Sequence, residues 1–179
     1  MLIKILVVLA VVVVVVALLA AVQAGTYRVV RTAVLAAPPA KVFVHTNDLH
    51  SYQTWNPFGK SDSAATYTYE GPATGVGSVL KWSSSGQTGA GTMTTVESRT
   101  NELVRYRLVF IRPMAGTGEM AFTLQPQGGQ TLVTWSMEGD KSYLAKLMGL
   151  FMSMEKMLGG AFERGLGELK TIVEKEAPH

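Results

Sequence analysis

The sequence predicts an α+β fold: an antiparallel sheet of about seven strands, two short helices after the first strand, and a long C-terminal helix that covers the sheet. Three observations predict it. The chain begins with an unbroken apolar run, continues with short segments of alternating polarity, and ends with apolar residues at helical spacing. After the apolar run, the rest of the 179 residues is enough for one ordinary domain.

The apolar run extends from Ile5 to Val22, and no charged residue lies between Lys4 and Arg28. At a rise of about 1.5 Å per residue, a helix over this run is roughly 27 Å long, close to the thickness of the bilayer hydrocarbon. The sequence therefore predicts a transmembrane anchor in residues 1–25 and a separate domain in residues 26–179. The protein is expected to be a single-pass protein of the cell membrane.

A cleaved signal peptide is the alternative interpretation of this run. Lys4 would then be its charged start, and Val22-Gln23-Ala24 resembles a small-x-small cleavage site. The run is longer than the roughly 7–15 apolar residues of most signal peptides, which favours the anchor. Cleavage would make the protein secreted or periplasmic. The side of the membrane stays open, because Lys4 is balanced by Arg28 and Arg31.

The first strand and the two short helices follow the anchor. Val30, Thr32 and Val34 fall on one face of the strand, opposite a mostly polar or small face, so we expect the strand to be half-buried. A proline pair at 38–39 ends the strand and suits the first turn of a helix. Residues 47–57 are expected to form the second short helix and a loop.

The sheet is predicted by alternation between Tyr67 and Glu138. Apolar residues occupy every second position in three successive segments: Val104, Tyr106, Leu108 and Phe110; Met120, Phe122 and Leu124; Val133, Trp135 and Met137. Such strands have one apolar and one wet face, which is typical of an antiparallel sheet covered on one side. The Gly128-Gly129 pair predicts a hairpin turn between the last two segments.

The covering helix is predicted from about Ser142 to Glu174. Its apolar residues recur every three or four positions, at Leu144, Leu147, Phe151, Met154, Leu158, Phe162, Leu166, Leu169 and Ile172. Gly159-Gly160 interrupts the pattern, so we expect a bend there.

Charge and composition exclude several classes of function. The net charge is +3, from 16 basic and 13 acidic residues that are scattered along the chain, so no nucleic-acid partner is expected. The absence of cysteine removes disulfides, thiolate metal sites and cysteine nucleophiles. His45 and His50 are five residues apart with no third ligand at metal spacing. We therefore expect neither a metal nor a cofactor.

An ordered series of short motifs resembles a known superfamily. The series runs through Tyr27–Arg31, Ala37–Phe43, Asp48, Trp55–Phe58, Tyr69–Pro72, Gly75–Gly77, Trp82, Gly91, Met93, Glu97, Val133–Trp135, Met154, Phe162, Glu163, Gly165, Leu166 and Leu169–Lys170. It is similar to the START-like helix-grip superfamily (SRPBCC), in particular the bacterial branch of polyketide cyclases, dehydrases and lipid transport proteins. The resemblance extends from about Tyr27 to Glu174.

The resemblance implies a curved sheet wrapped around the C-terminal helix, with a deep cavity between them for a hydrophobic small molecule or lipid. The cavity mouth is expected near residues 48–58. The candidate ligand-binding residues are Trp55, Trp82, Met93, Tyr106, Phe110, Met120, Phe122, Trp135, Met148, Phe151 and Met152. Plain core packing is the competing interpretation for any of them, and about half are expected to touch the cavity. Methionine suits such a wall, because its flexible side chain adapts to irregular ligands.

Three functions are carried forward. The leading hypothesis is a membrane-anchored module that binds a lipid or another hydrophobic small molecule. The first alternative is a polyketide cyclase or dehydratase-like enzyme that uses Glu97 or Tyr106 to move protons, with Glu97 in phase with Met93 and Thr95. The favoured interpretation of Glu97 is a residue at the rim of the pocket that pairs with an arginine. The second alternative is a protein-interaction module with a vestigial pocket. The oligomeric state is left open.

Overall fold

The computed structural model describes residues 1–60, 62–86, 88–150 and 153–176. Its helices are α1 (Leu2–Ala21), α2 (Pro39–Asn47), α3 (Leu49–Trp55), α4 (Pro57–Lys60), α5 (Tyr143–Gly149) and α6 (Met154–Lys175). Its strands are β1 (Thr26–Leu35), β2 (Thr66–Glu70), β3 (Val79–Ser83), β4 (Ala90–Arg99), β5 (Leu103–Arg112), β6 (Gly116–Gln127) and β7 (Gln130–Asp140).

The seven strands form one antiparallel sheet in the order β1-β7-β6-β5-β4-β3-β2. Helix α6 lies across the inner face, where Phe162, Leu166, Leu169 and Val173 are buried. The α+β helix-grip fold expected from the sequence is therefore confirmed.

The β6–β7 hairpin is confirmed at the expected glycine pair. Gln127 is opposite Gln130, and Gly128 and Gly129 have φ angles of +56° and +87°. Two successive positive φ angles define the tight turn that suits twisted antiparallel strands, and glycine adopts them without a steric penalty.

Helix α1 has the composition of a membrane span. It is 20 residues long with a mean hydropathy of 3.4, and within the described part of the chain it is the one helix long and apolar enough to cross a bilayer. Its side chains are largely exposed, apart from buried Ala20 near its end.

The C-terminal helical segment is divided at a different place from the one predicted. The bend expected at Gly159-Gly160 is wrong, because α6 runs without a break from Met154 to Lys175 and the division lies between α5 and α6. Gly159 provides space instead: a Cβ atom there would overlap the guanidinium group of Arg31.

The face assignment of β1 is also wrong. Val30 and Val34 are exposed, whereas Val29 and Leu35 are buried in the core. Arg31 lies on the inner face, where its Nη1 contacts Glu155 Oε1 at 2.6 Å and its Nε contacts Glu163 Oε1 at 2.6 Å. Two carboxylates of α6 and the space above Gly159 therefore let an arginine occupy a position that usually takes an apolar residue.

One end of the sheet is formed by the strand ends at Thr26, Ser83, Ala90, Arg112, Gly116 and Asp140, which the pairing register places side by side. Helix α1 joins the sheet at this end, because only four residues separate Ala21 from β1. Lys141 N donates to Gly25 O at 2.7 Å and closes the corner. We call this end of the sheet the α1 end.

Candidate functional site

A cavity of about 160 Å³ lies between the inner face of the sheet, helices α3 and α4, and the start of α6. The sheet, the three helices and the loop before β4 all contribute lining residues. They are Tyr52, Gln53, Asn56, Phe58, Gly59, Tyr67, Leu80, Trp82, Thr88, Met93, Leu108, Phe110, Met120, Met137 and Leu158.

The sheet wall of the cavity is apolar. Met120 and Met137 are directly opposite each other on β6 and β7, and Met93 is opposite Leu108 on β4 and β5. All four side chains are almost fully buried, as alternation on the covered face requires. The methionines of β4, β6 and β7 give this wall side chains that adjust their shape to what lies against them.

Trp82 and Phe110 form the wall nearest the α1 end of the sheet. Their rings meet edge to face with centroids 5.9 Å apart. Gly91 is the cross-strand partner of Trp82, and a Cβ atom there would overlap the indole ring. The indole Nε1 donates to Thr88 O at 3.1 Å. A glycine and one hydrogen bond thus fix the ring flat against β4.

The helical wall is polar, and its polar atoms are paired with one another. Tyr52 Oη donates to Asn56 Oδ1 at 3.3 Å, and Asn56 Nδ2 donates to Gln53 Oε1 at 3.0 Å. The backbone N–H of Phe58 also donates to Asn56 Oδ1, at 3.1 Å. Burial raises the pKa of the Tyr52 hydroxyl well above its usual range, so the phenol stays neutral.

The lining residues that the structure describes include no Asp, Glu, Lys, Arg or His. Burial also raises the pKa of Tyr67, although a hydrogen bond from Gln53 opposes the shift. The cavity is therefore neutral around pH 7. A charged group that entered it would lose its hydration without gaining a partner charge, which disfavours charged ligand groups.

Asp62 ties together two loops beside the cavity. Its Oδ2 accepts hydrogen bonds from Thr88 Oγ1 at 2.7 Å and Thr88 N at 3.0 Å, and its Oδ1 accepts one from Ala64 N at 3.1 Å. The hydrogen bonds from Thr88 lower the pKa of Asp62 to about 2. The loop that carries cavity residue Thr88 is thereby attached to the segment before β2.

The candidate ligand-binding residues on α3 and the sheet separate into two groups. Trp82, Met93, Phe110 and Met120 line the cavity. The other four aromatic residues form a solid core beneath it, with no exposed surface: Trp55, Tyr106, Phe122 and Trp135. Trp55 meets Phe122 and Trp135 at centroid distances of 5.5 and 5.6 Å, and Trp135 stacks on Phe162 at 4.1 Å. Core packing accounts for this second group.

Among the described residues, the candidate Met148 does not line the cavity. Met148 lies on α5 with 46% of its surface exposed. Phe151 and Met152 lie outside the described residues. Leu158 is the residue of α6 that lines the cavity.

Several lining residues were not among the candidates, namely Tyr52, Gln53, Asn56, Phe58, Gly59, Tyr67, Leu80, Thr88, Leu108, Met137 and Leu158. A signal existed for some of them. Leu108 and Met137 share the inner faces of β5 and β7 with residues that were named. Tyr52, Gln53, Asn56 and Phe58 lie in the segment expected to carry the mouth, but polar side chains are not identified as a pocket wall by apolar alternation.

The two residues considered for proton transfer do not reach the cavity. Tyr106 is fully buried, and its hydroxyl donates to the carbonyl oxygen of Thr46. The expectation that Glu97 is in phase with Met93 and Thr95 is wrong, because a bulge between Thr95 and Glu97 shifts the strand by one residue. Glu97 therefore lies on the outer face, 3.2 Å from Arg99 and 3.4 Å from Arg105.

This position predicts that Glu97→Gln leaves cavity binding unchanged. Its carboxylate is partly exposed and its arginine partners are on the surface, so we expect the free energy of unfolding to change by less than about 1 kcal/mol. Titration with an apolar fluorescent probe and denaturant unfolding measure the two quantities. A large fall in probe affinity would mean that the carboxylate acts on the cavity despite facing away from it.

Comparison with known proteins agrees with this architecture. The family described as "Polyketide cyclase / dehydrase and lipid transport" matches residues 26–174. No curated protein matches the sequence.

Solved structures show the same fold at low sequence identity. Protein CV1439 from Chromobacterium violaceum has a TM-score of 0.59 and 22% identity, over 84% of this chain and 97% of that one. The Aha1 dimer from Colwellia psychrerythraea has a TM-score of 0.59 and 18% identity, over 83% and 96%. Protein MLL2253 from Mesorhizobium loti has a TM-score of 0.60 and 13% identity, over 85% and 100%. At these identities the likeness establishes the fold alone.

The family match spans the whole sheet and nearly all of α6, the elements that enclose the cavity. The chain therefore belongs to the polyketide cyclase/dehydrase and lipid transport family.

Proposed function

We propose that this protein is a membrane-anchored module that binds a lipid or another hydrophobic small molecule in the cavity. The observation that carries the proposal is the cavity's chemistry. Methionine, leucine and aromatic side chains form its sheet wall, no charged residue is among its described lining residues, and the polar groups of Tyr52, Asn56 and Gln53 bind one another. Such a space favours apolar ligands.

The anchoring part of the proposal is supported by α1. Its 20 residues have a length and hydropathy that match a bilayer, and its side chains are left largely exposed by the domain. In water this surface would be an aggregation hazard, whereas in hydrocarbon it is solvated. We propose that residues 1–25 stay attached and hold domain 26–179 at the membrane.

The cavity is tested by filling it. Leu108→Trp adds an indole to the cavity lining, and we expect probe affinity to fall by more than about tenfold, equivalent to ~1.4 kcal/mol. The added atoms enter empty space, so we expect the free energy of unfolding to fall by less than for an overpacked core. Residues 26–179 are titrated with an environment-sensitive apolar probe, which lipids should displace from the unmodified protein.

Leu124→Trp is the matched control. Leu124 is equally buried on the same sheet face, but it does not line the cavity. Overpacking at this position should destabilise the protein by about 1–3 kcal/mol and leave the affinity of the folded fraction unchanged. The proposal fails if Leu108→Trp binds probe and lipid as the unmodified protein does.

A further inference from the structure

The cavity and the anchor occupy the same end of the domain. Trp82 and Phe110 are within two residues of the strand ends at Ser83 and Arg112, which belong to the α1 end of the sheet. Buried residues at the opposite ends of the strands, such as Leu103 and Leu124, do not line the cavity. The shortest path into the cavity therefore lies at the end of the domain where the C-terminal end of α1 joins the sheet.

Helix α5 contacts α1 at a depth that places it beside the bilayer. Tyr143, its first residue, donates a hydrogen bond from Oη to Ala17 O at 3.2 Å. Ala17 lies four residues before the end of α1 at Ala21, which is roughly 6 Å along the helix axis. If α1 spans the membrane, the Tyr143 ring lies at the level of the interface, where tyrosine is enriched.

The surface next to this contact combines apolar and basic groups. Tyr143, Met148 and Met157 are 55%, 46% and 48% exposed, although all three are large apolar or aromatic residues. Residues 141–150 and 153–157 also contain three lysines, Lys141, Lys146 and Lys156, and none forms an ion pair within the described residues. The single acid of this segment, Glu155, is paired with Arg31. The segment is thus a net-positive surface with exposed apolar side chains.

We propose that α5 and the first turn of α6 rest on the surface of the bilayer beside the anchor, and that the cavity exchanges its ligand with this leaflet. The occupant of the surface is a lipid bilayer with anionic headgroups. Three unpaired lysines attract anionic headgroups, while Met148 and Met157 insert into the interface. The inference rests on the proposed anchoring of α1 and adds the orientation of the domain relative to the membrane.

Two consecutive residues of α6 face the two environments that the proposal connects. Met157 is on the exposed surface, and the next residue, Leu158, lines the cavity. Residues within one turn of α6 therefore face the proposed membrane surface and the interior of the cavity. A lipid would cross this short distance without passing through bulk water.

The chain has no cysteine, so single cysteines allow labelling at chosen positions. The full-length protein is reconstituted in vesicles of phosphatidylcholine and phosphatidylglycerol, with an NBD fluorophore on Met148→Cys or Met157→Cys. Val12→Cys in α1 is the positive control. Val44→Cys in α2 is the matched negative control, because Val44 is also exposed but lies at the other end of the domain. The measurement is the blue shift of NBD emission and its quenching by nitroxide-labelled lipids.

We expect the labels at 148 and 157 to be blue-shifted and quenched, close to the label at 12, while the label at 44 keeps its aqueous spectrum. Quenching at 12 with aqueous spectra at both 148 and 157 overturns the orientation but leaves the anchor intact. An aqueous spectrum at position 12 overturns the anchor and the orientation together. Equal quenching at 44 and 148 also overturns the orientation, because the domain would then have no preferred face.

Discussion

Trp135→Ala is expected to lower the free energy of unfolding by about 3–5 kcal/mol. The indole is fully buried, stacks on Phe162 with an interplanar angle of 4°, and fills the space above Gly165. Its Nε1 has no hydrogen-bond partner within the described residues, so packing accounts for its contribution. Removing the ring leaves a void that surrounding aromatic side chains cannot easily fill. Denaturant unfolding of residues 26–179 measures the loss.

Trp82→Ala is the matched control for this change. Trp82 lines the cavity and is only partly buried, so fewer contacts are lost when its ring is removed. We expect a smaller loss of stability than for Trp135→Ala and a larger change in the affinity of the apolar probe. A larger stability loss for Trp82→Ala than for Trp135→Ala would contradict the assignment of Trp82 to the cavity wall and Trp135 to the solid core.

Removal of residues 1–25 is expected to convert the protein from membrane-bound to soluble. The full-length protein should stay with membranes after an alkaline carbonate wash, because the apolar helix α1 is more stable in hydrocarbon than in water. A protein that begins at Thr26 should remain in the supernatant. Its free energy of unfolding should change little, because the core elements lie within residues 26–176.

A full-length variant with Val12→Lys and Val14→Lys is the matched control for this deletion. It keeps the length of α1 but places two charges in the middle of the apolar run, at roughly 2.5–3.5 kcal/mol each for insertion. We expect it to lose carbonate resistance as the deletion does. A mature N-terminus at Gly25 in the unmodified protein would instead establish a cleaved signal peptide and contradict the anchor.

Patterns with a single structural solution were predictable from the sequence. Alternation in β5, β6 and β7 identified the covered face of the sheet, and the Gly128-Gly129 pair identified the hairpin. Alternation did not identify the buried face of β1, because apolar residues occupy both faces of this strand and Arg31 lies on the inner face. Arg31 is stabilised by carboxylates more than 120 residues away, which no local pattern contains.

The site was less predictable for the same reason. Glu97 would have faced the cavity in a regular strand, but one extra residue in β4 turned it outward. Inward-facing aromatic residues could not be divided into core and cavity wall, because both groups have the same alternation. Whether Trp82 or Trp135 faces empty space depends on how α3, α4 and α6 pack above the sheet.

The paired polar groups of Tyr52, Asn56 and Gln53 have a consequence for selectivity. A binding site discriminates strongly when a wrong guest leaves its own buried donors and acceptors without partners. Here those donors and acceptors already satisfy one another when no guest is present, and the opposite wall consists of deformable methionines. The cavity should therefore select ligands by size and shape more than by the pattern of their functional groups. Chemically different apolar molecules of similar size should compete for binding in it.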